Sequence, residues 1–248
     1  MSEGQVLRLS VLDLRQEIEA VSKLASGFLS TAGQRRLGQS QHELAIAVGQ
    51  PQRDFTWQIS REEPIWTRPS RLEYERKPGG TPTKGSGILG ALSFRWDLCT
   101  GPKPVKDVFL TGNATCMLRL HDSESDVDAA LSMWRMEVGA HDSPGSCFHT
   151  QVLGTKPVPP FPKSLPVPRL PIFPPTPMAC LEFLLSELFQ LRWSEEVQRG
   201  TQPANMWRGI QQRRLCSFLR WQLKAVEQST GSPLVELKLF PPADVLAA

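Results

Sequence analysis

Proline constrains this chain more than any other residue: ten of its 22 prolines fall between Pro157 and Pro177, in KPVPPFPKSLPVPRLPIFPPTP. Proline fixes φ and lacks the backbone N–H, so such a run continues neither a helix nor a central strand and favours extended polyproline II geometry. It divides the sequence into residues 1–156, a connector over 157–178, and residues 179–248, expected to pack together as one compact unit. Val158, Phe161, Leu165, Leu170 and Phe173 punctuate the connector. Those are more apolar residues than an exposed ligand needs, so a strap over the body is preferred to recognition by a proline-binding domain through Pro168-Arg169-Leu170-Pro171.

Upstream of the prolines, side-chain alternation is the dominant signal. Four strands are predicted near 91–99, 106–121, 131–138 and 147–153, joined by short polar or Gly/Pro links as an antiparallel meander. Phe94, Trp96 and Leu98 share one side of the first, and Leu118 and Leu120 do so in the second. Trp134, Met136 and Val138 follow in the third, then Phe148 and Val152 in the fourth. Before the meander, Ser10 precedes Val11, Leu14, Ile18, Val21, Ala25 and Phe28, the spacing of one helix face, with Gly33 as its end signal. Two strands are expected at 42–48 and 54–60, and a short one at 71–76.

Downstream, Thr176-Pro177 opens a helix with Leu181, Leu184, Leu185, Leu188 and Phe189 on a broad apolar face. A second helix is predicted from about Asn205 to Gln228. Its inward side is read as Leu215, Phe218, Leu219, Gln222, Leu223 and Val226, with Arg213, Arg220 and Lys224 opposite. Residues 233–240 alternate enough for a last strand. The fold class is therefore α+β: an N-terminal helix, a mostly antiparallel sheet, a proline-rich connector and a C-terminal helical pair packed back on the sheet.

Composition narrows the function classes. Forty per cent hydrophobic and 21% charged residues describe a chain that buries a core rather than a disordered one. No apolar run approaches the ~20 residues of a membrane span, and the first residues carry an early acid where a secretory leader would be apolar. A cytoplasmic protein with no membrane association is expected. Cys99, Cys116, Cys147, Cys180 and Cys216 are odd in number and widely spread, which suits free thiols rather than a disulfide framework. A net charge of +3 is too mild to imply nucleic-acid binding, although the arginine-rich basic set suits forked contacts to carboxylate or phosphate.

The same alternation that builds the apolar face lists its opposite. Arg95, Asp97 and Cys99 project there, with Arg119 and His121, Arg135 and Glu137, and Cys147, His149 and Gln151. As a plain solvated face these residues would form cross-strand pairs such as Arg135 with Asp97 or Glu137 with Arg119, worth ~0.2–1 kcal/mol each. As a site, Arg95, Asp97, Arg119, His121, Arg135 and Gln151 would bind an anionic partner. His149, His141 and Glu137 are the candidate catalytic residues, with Cys147 beside them. Cys147 and His149 provide only one local ligand pair, so no metal site and no cofactor are expected. Two weaker signals are set aside. The segment Gly80–Ser86 lacks the residue order of a phosphate loop. Glu236-Leu-Lys238 resembles half of a nuclease motif, with no second acid on a preceding strand.

The leading expectation is a non-enzymatic binding or adaptor subunit of a cytoplasmic bacterial assembly, meeting a protein or nucleic acid through the polar sheet face and the basic C-terminal helix. A protein that neutralises a toxin would be one version of it. The alternative is a hydrolase or nuclease using His149, His141 and Glu137, with or without a metal ion.

Overall fold

The computed structural model describes residues 7–70, 87–123, 130–139, 146–154, 169–232 and 240–247. In chain order the elements are β1 (Arg8–Ser10), α1 (Val11–Leu24), a single 3-10 turn (Ala25–Gly27), α2 (Thr31–Ala47), β2 (Asp54–Ile59), β3 (Ile65–Trp66), β4 (Ile88–Thr100), β5 (Asp107–Asp122), β6 (Ser132–Val138), β7 (Phe148–Gly154), β8 (Leu170–Pro171), α3 (Pro177–Gln198) and α4 (Gln202–Gln228). The strands form one antiparallel sheet in the order β2-β4-β5-β6-β7-β8, with β3 also on β4 and β1 also on β5. The meander is as predicted: β4 to β7 pair with their sequence neighbours, interrupted by a register shift between Trp96 and Leu98. Leu170–Pro171 adds to the outer edge of β7, where a missing N–H costs least. Residues 157–168 of the proline run, the predicted strand at 71–76 and most of that at 233–240 lie outside the described residues.

The N-terminal region departs from expectation. Ser10 caps α1 by accepting from the Asp13 N–H at 3.2 Å, but the helix stops at Leu24. Leu29 is drawn into a bridge with Thr67, and the chain turns there. Ser30 then caps a second helix through the Gly33 N–H at 3.0 Å. Gly33 thus sits in a first turn rather than closing α1. A Cβ on it would lie 2.2 Å from the Trp66 carbonyl oxygen, so glycine serves the close approach of α2 to β3. Residues 42–48 are not a strand; they belong to α2 and its C-cap. The buried stripe of α2 is Gly33, Leu37, Ser40 and Leu44, two of them without an apolar side chain, so hydrophobic periodicity fades there.

Helices cover the apolar side of the sheet. Leu92, Phe94, Trp96, Leu98 and Leu118 are buried there, and the Trp57 ring meets Phe94 edge-on at 4.7 Å. The Trp57 indole N–H donates to Ser40 Oγ at 2.8 Å, which fixes α2 against β2. On α3, Thr176 caps the first turn and Pro177 takes the first position, as predicted. Leu181, Leu184, Leu185 and Leu188 are fully buried, each worth ~1.5–3 kcal/mol of transfer free energy. Leu184 and Leu188 press on Gly90 of β4, where a Cβ would sit 2.6 Å from Leu188 Cδ1.

The inward side of α4 is not the predicted one. Its buried residues are Ala204, Trp207, Ile210, Arg214 and Phe218, while Leu215, Leu219 and Leu223 are 43%, 51% and 60% exposed. The cause is an ion pair. Glu17 of α1 is wholly buried and accepts from Arg214 Nη1 at 2.5 Å, with the Arg214 Nε–H donating to the Leu246 carbonyl at 3.2 Å. Turning α4 to present Arg214 to α1 rotates its leucines outward. Arg213 is no solvated bystander either, since its Nη2 lies 2.9 Å from Asp13 Oδ1. None of the described helices is long and apolar enough to cross a membrane.

Candidate functional site

Cross-strand register puts the predicted polar residues on one side of the sheet, in rows perpendicular to the strands. One row runs Gln58, Arg95, Thr115, Glu137, His149; the next runs Ser93, Met117, Arg135, Gln151; a third carries Ala91, Arg119 and Met133, joined by Trp66. Leu89 and His121 form a fourth, and Thr56 with Asp97 flanks the first. Because partners across an antiparallel ladder share a face, this grouping follows directly from the pairing.

The ion pairs differ from those anticipated. Arg135 does not reach Asp97, nor Arg119 Glu137. Glu137 is engaged by its own strand and by both neighbours: Arg135 Nε at 3.2 Å, His149 Nε2 at 3.3 Å and the Thr115 hydroxyl at 3.1 Å. The His149 contact is the strongest influence holding its carboxyl below the usual range, opposed by burial and helped by Arg135. Asp97 likewise accepts from Thr56 Oγ1 at 2.8 Å, Asn113 N at 3.2 Å and Asn113 Nδ2 at 3.1 Å, with Arg95 Nε at 3.3 Å. Burial acts against ionisation of Asp97, and the contacts from Thr56, Asn113 and Arg95 together outweigh it, so its pKa is lowered. Pairing along the strand succeeds because residues two apart share a face and the register sets Thr115, not Arg119, opposite Glu137.

Within this face the residues divide by accessibility. Arg95 and Arg135 have side chains 57% and 37% exposed, whereas His149 is only 3% exposed, with Nδ1 2.9 Å from the Ser146 carbonyl oxygen. Gln151 is buried and accepts a hydrogen bond from Arg135 Nη2. His121 is buried with its ring 5.0 Å from that of Trp66, in an edge-on contact. Arg119 donates through Nη2 to the Arg61 carbonyl at 2.6 Å, and burial plus the neighbouring Arg61 charge lower its pKa. Glu62 beside them supplies a partial counter-charge. Cys147 lines a small crevice with Phe148, Phe218 and Trp221, and burial pushes its thiol pKa up to about 12, the reverse of an activated nucleophile. His141 lies outside the described residues. No group of three or more His, Cys, Asp and Glu side chains suited to a metal ion occurs among the described residues.

A second polar locus escaped sequence reasoning. Between α3 and α4 lies a cavity of about 470 Å³ whose lining includes Phe173, Phe183, Trp193, Trp207, Glu182 and Arg214. Gln211 donates to Glu182, and the indole N–H groups of Trp193 and Trp207 turn toward the same carboxyl without closing a hydrogen bond of ordinary geometry. Burial nonetheless raises the Glu182 pKa, the largest of these influences. Each helix alone reads as amphipathic, and only their packing brings these groups together. The signal available in the sequence was the set Glu182, Trp193, Trp207, Gln211 and Arg214 spread over two adjacent predicted helices. The chain matches no protein-family model, no curated protein and no solved structure.

Proposed function

We propose that this chain is a non-enzymatic binding protein whose sheet face takes an anionic partner, acting as an adaptor in a cytoplasmic assembly. The observation that carries the reading is the charge balance of that face. Asp97 and Glu137 are each held by several neighbours, while Arg95, Arg119 and Arg135 stand in three successive rows with an excess of positive charge. Guanidinium groups so spaced suit forked hydrogen bonds to carboxylates or phosphates. Free thiols at all five cysteines suit a reducing compartment.

Binding of the purified chain to poly-L-glutamate, single-stranded RNA and duplex DNA tests the reading and separates acidic protein surfaces from nucleic acids. The triple variant Arg95→Ala, Arg119→Ala, Arg135→Ala is expected to bind at least tenfold more weakly, with a shallower salt dependence if the partner is a phosphate backbone. Unchanged binding by a folded triple variant sinks the proposal. The hydrolase or nuclease alternative has one observation in its favour, the 3.3 Å Glu137–His149 couple. Against it, the imidazole is nearly enclosed and its second nitrogen already faces a carbonyl, which suits a clamp between β6 and β7. Equal activity of wild type and His149→Ala on nucleic-acid substrates would remove it.

A further inference from the structure

With Arg214 turned inward to Glu17, α4 shows solvent a ridge of Leu215, Leu219 and Leu223, all exposed. Four-residue steps stack these side chains along one line of the helix surface, about 12 Å long at ~1.5 Å per residue. Apolar side chains grouped in this way on a folded surface mark a place of contact. Leu215 is also part of the lining of the α3–α4 cavity, together with Phe173, Phe183, Trp193 and Trp207. The ridge therefore begins at the rim of a space with aromatic walls. Charge distinguishes its other flank. Arg220 and Lys224 each follow a ridge leucine by one position, about 100° around the helix and away from the side that brings Gln211 and Leu215 to the cavity. Both are exposed, and neither has an ion-pair partner among the described residues, whereas Arg213 and Arg214 are held by Asp13 and Glu17.

We propose that this ridge is the docking surface for an amphipathic helix of a partner protein, one with an acidic polar face and an aromatic anchor. The apolar face of that helix lies along Leu215, Leu219 and Leu223, as the ridges of one helix seat in the grooves of another. Its anchor enters the α3–α4 cavity beside Leu215, whose rings suit an aromatic side chain in edge-on or offset packing. Its acids meet Arg220 and Lys224. The sign of the partner follows from the composition of α4, five basic residues against the single acid Glu227. A second copy of this chain would bring that basic set against itself across a two-fold axis, whereas an acidic helix complements it. The surface shares no residue with the sheet face, so this interaction stands or falls apart from the one proposed there.

Fluorescence anisotropy on the full chain tests the proposal, with a labelled peptide of about 20 residues built of Glu, Ala and Leu with one Trp on its apolar face. Saturable binding is expected, at least tenfold tighter than for the same peptide with Lys in place of Glu or Ala in place of Trp. The double variant Leu219→Glu, Leu223→Glu should abolish binding, and Arg220→Glu with Lys224→Glu should weaken it at least tenfold. All four side chains are exposed, so both variants are expected to fold. The triple arginine variant of the sheet face should bind this peptide as tightly as wild type, which separates the two surfaces. No saturation up to about 100 μM peptide overturns the proposal, as does equal binding of the Lys-for-Glu peptide or loss of binding in the sheet-face variant. Undiminished binding by the folded Leu219→Glu, Leu223→Glu protein does the same. Sedimentation equilibrium showing a dimer that those two substitutions dissociate would assign the ridge to a second copy and overturn it. Flotation with phosphatidylserine vesicles, abolished by the same substitutions, would assign it to a membrane and overturn it too.

Discussion

At Glu137 three side chains converge on one carboxylate, from Thr115 on one neighbouring strand, His149 on the other and Arg135 on its own. Its folded-state pKa lies below the free-chain value of 4.5, so its contribution to stability is complete at neutral pH. That contribution is lost as acidification passes below the free-chain value and through the lowered folded one. Glu137→Gln should therefore cost about 1 kcal/mol at pH 7, allowing for screening of a partly exposed group, and should flatten the fall in stability below pH 5. Urea midpoints measured from pH 7 to pH 3 check both effects; parallel curves for wild type and variant would show that the cluster contributes nothing to acid sensitivity. This residue was visible in the sequence because strand alternation alone sets Glu137, Arg135 and His149 on one face. Its partners were not, since choosing Arg135 over Arg119 requires the register, which alternation does not supply.

Among the elements, α1 and α4 depend on each other through Glu17 and Arg214. Burial lifts the Glu17 pKa even against the favourable charge of Arg214, which shows how far desolvation opposes the pair. Glu17→Gln or Arg214→Met alone should cost roughly 3–5 kcal/mol by leaving the other group buried without its counter-charge. The double variant should recover most of that loss, giving a large coupling energy in a double-mutant cycle followed by chemical denaturation. Additive losses would mean that the two side chains do not sense each other. The same pair explains why α4 was misread. A hydrophobicity pattern assigns Leu215, Leu219 and Leu223 to the core and Arg214 to solvent, and the opposite holds because Glu17 is already committed inside. For α2, glycine and serine at two of four buried positions erased the helical signal, and the short apolar run Leu44–Val48 resembled a strand. Where periodicity was strong, over β4 to β7 and α3, sequence and structure agree closely, because a single buried face decided each residue.

For the molecule as a whole, contacts between the two ends of the chain matter most. The Arg8 N–H donates to the Ala243 carbonyl at 2.7 Å, Leu246 meets Arg214, and Phe148 of β7 packs on Phe218 of α4 at 5.4 Å. With each region supplying partners that the other buries, we expect one thermal transition with an enthalpy of roughly 170 kcal/mol near 60 °C. Differential scanning calorimetry resolving two transitions of smaller enthalpy would show instead that residues 1–156 and 179–248 fold separately.

The Glu17–Arg214 bond spans 197 positions of sequence, and that separation has a meaning in time. At ordinary translation rates of ~5–20 residues per second, roughly 10–40 seconds pass between synthesis of the acid and synthesis of its arginine. Throughout that interval the nascent chain carries a carboxylate on a helix face otherwise ready to be buried. Water or a proton has to satisfy it until α4 leaves the ribosome. A chain stalled or cleaved before Arg214 would emerge with most of its sheet and an unfinished interior, the kind of product that chaperones retain and proteases remove.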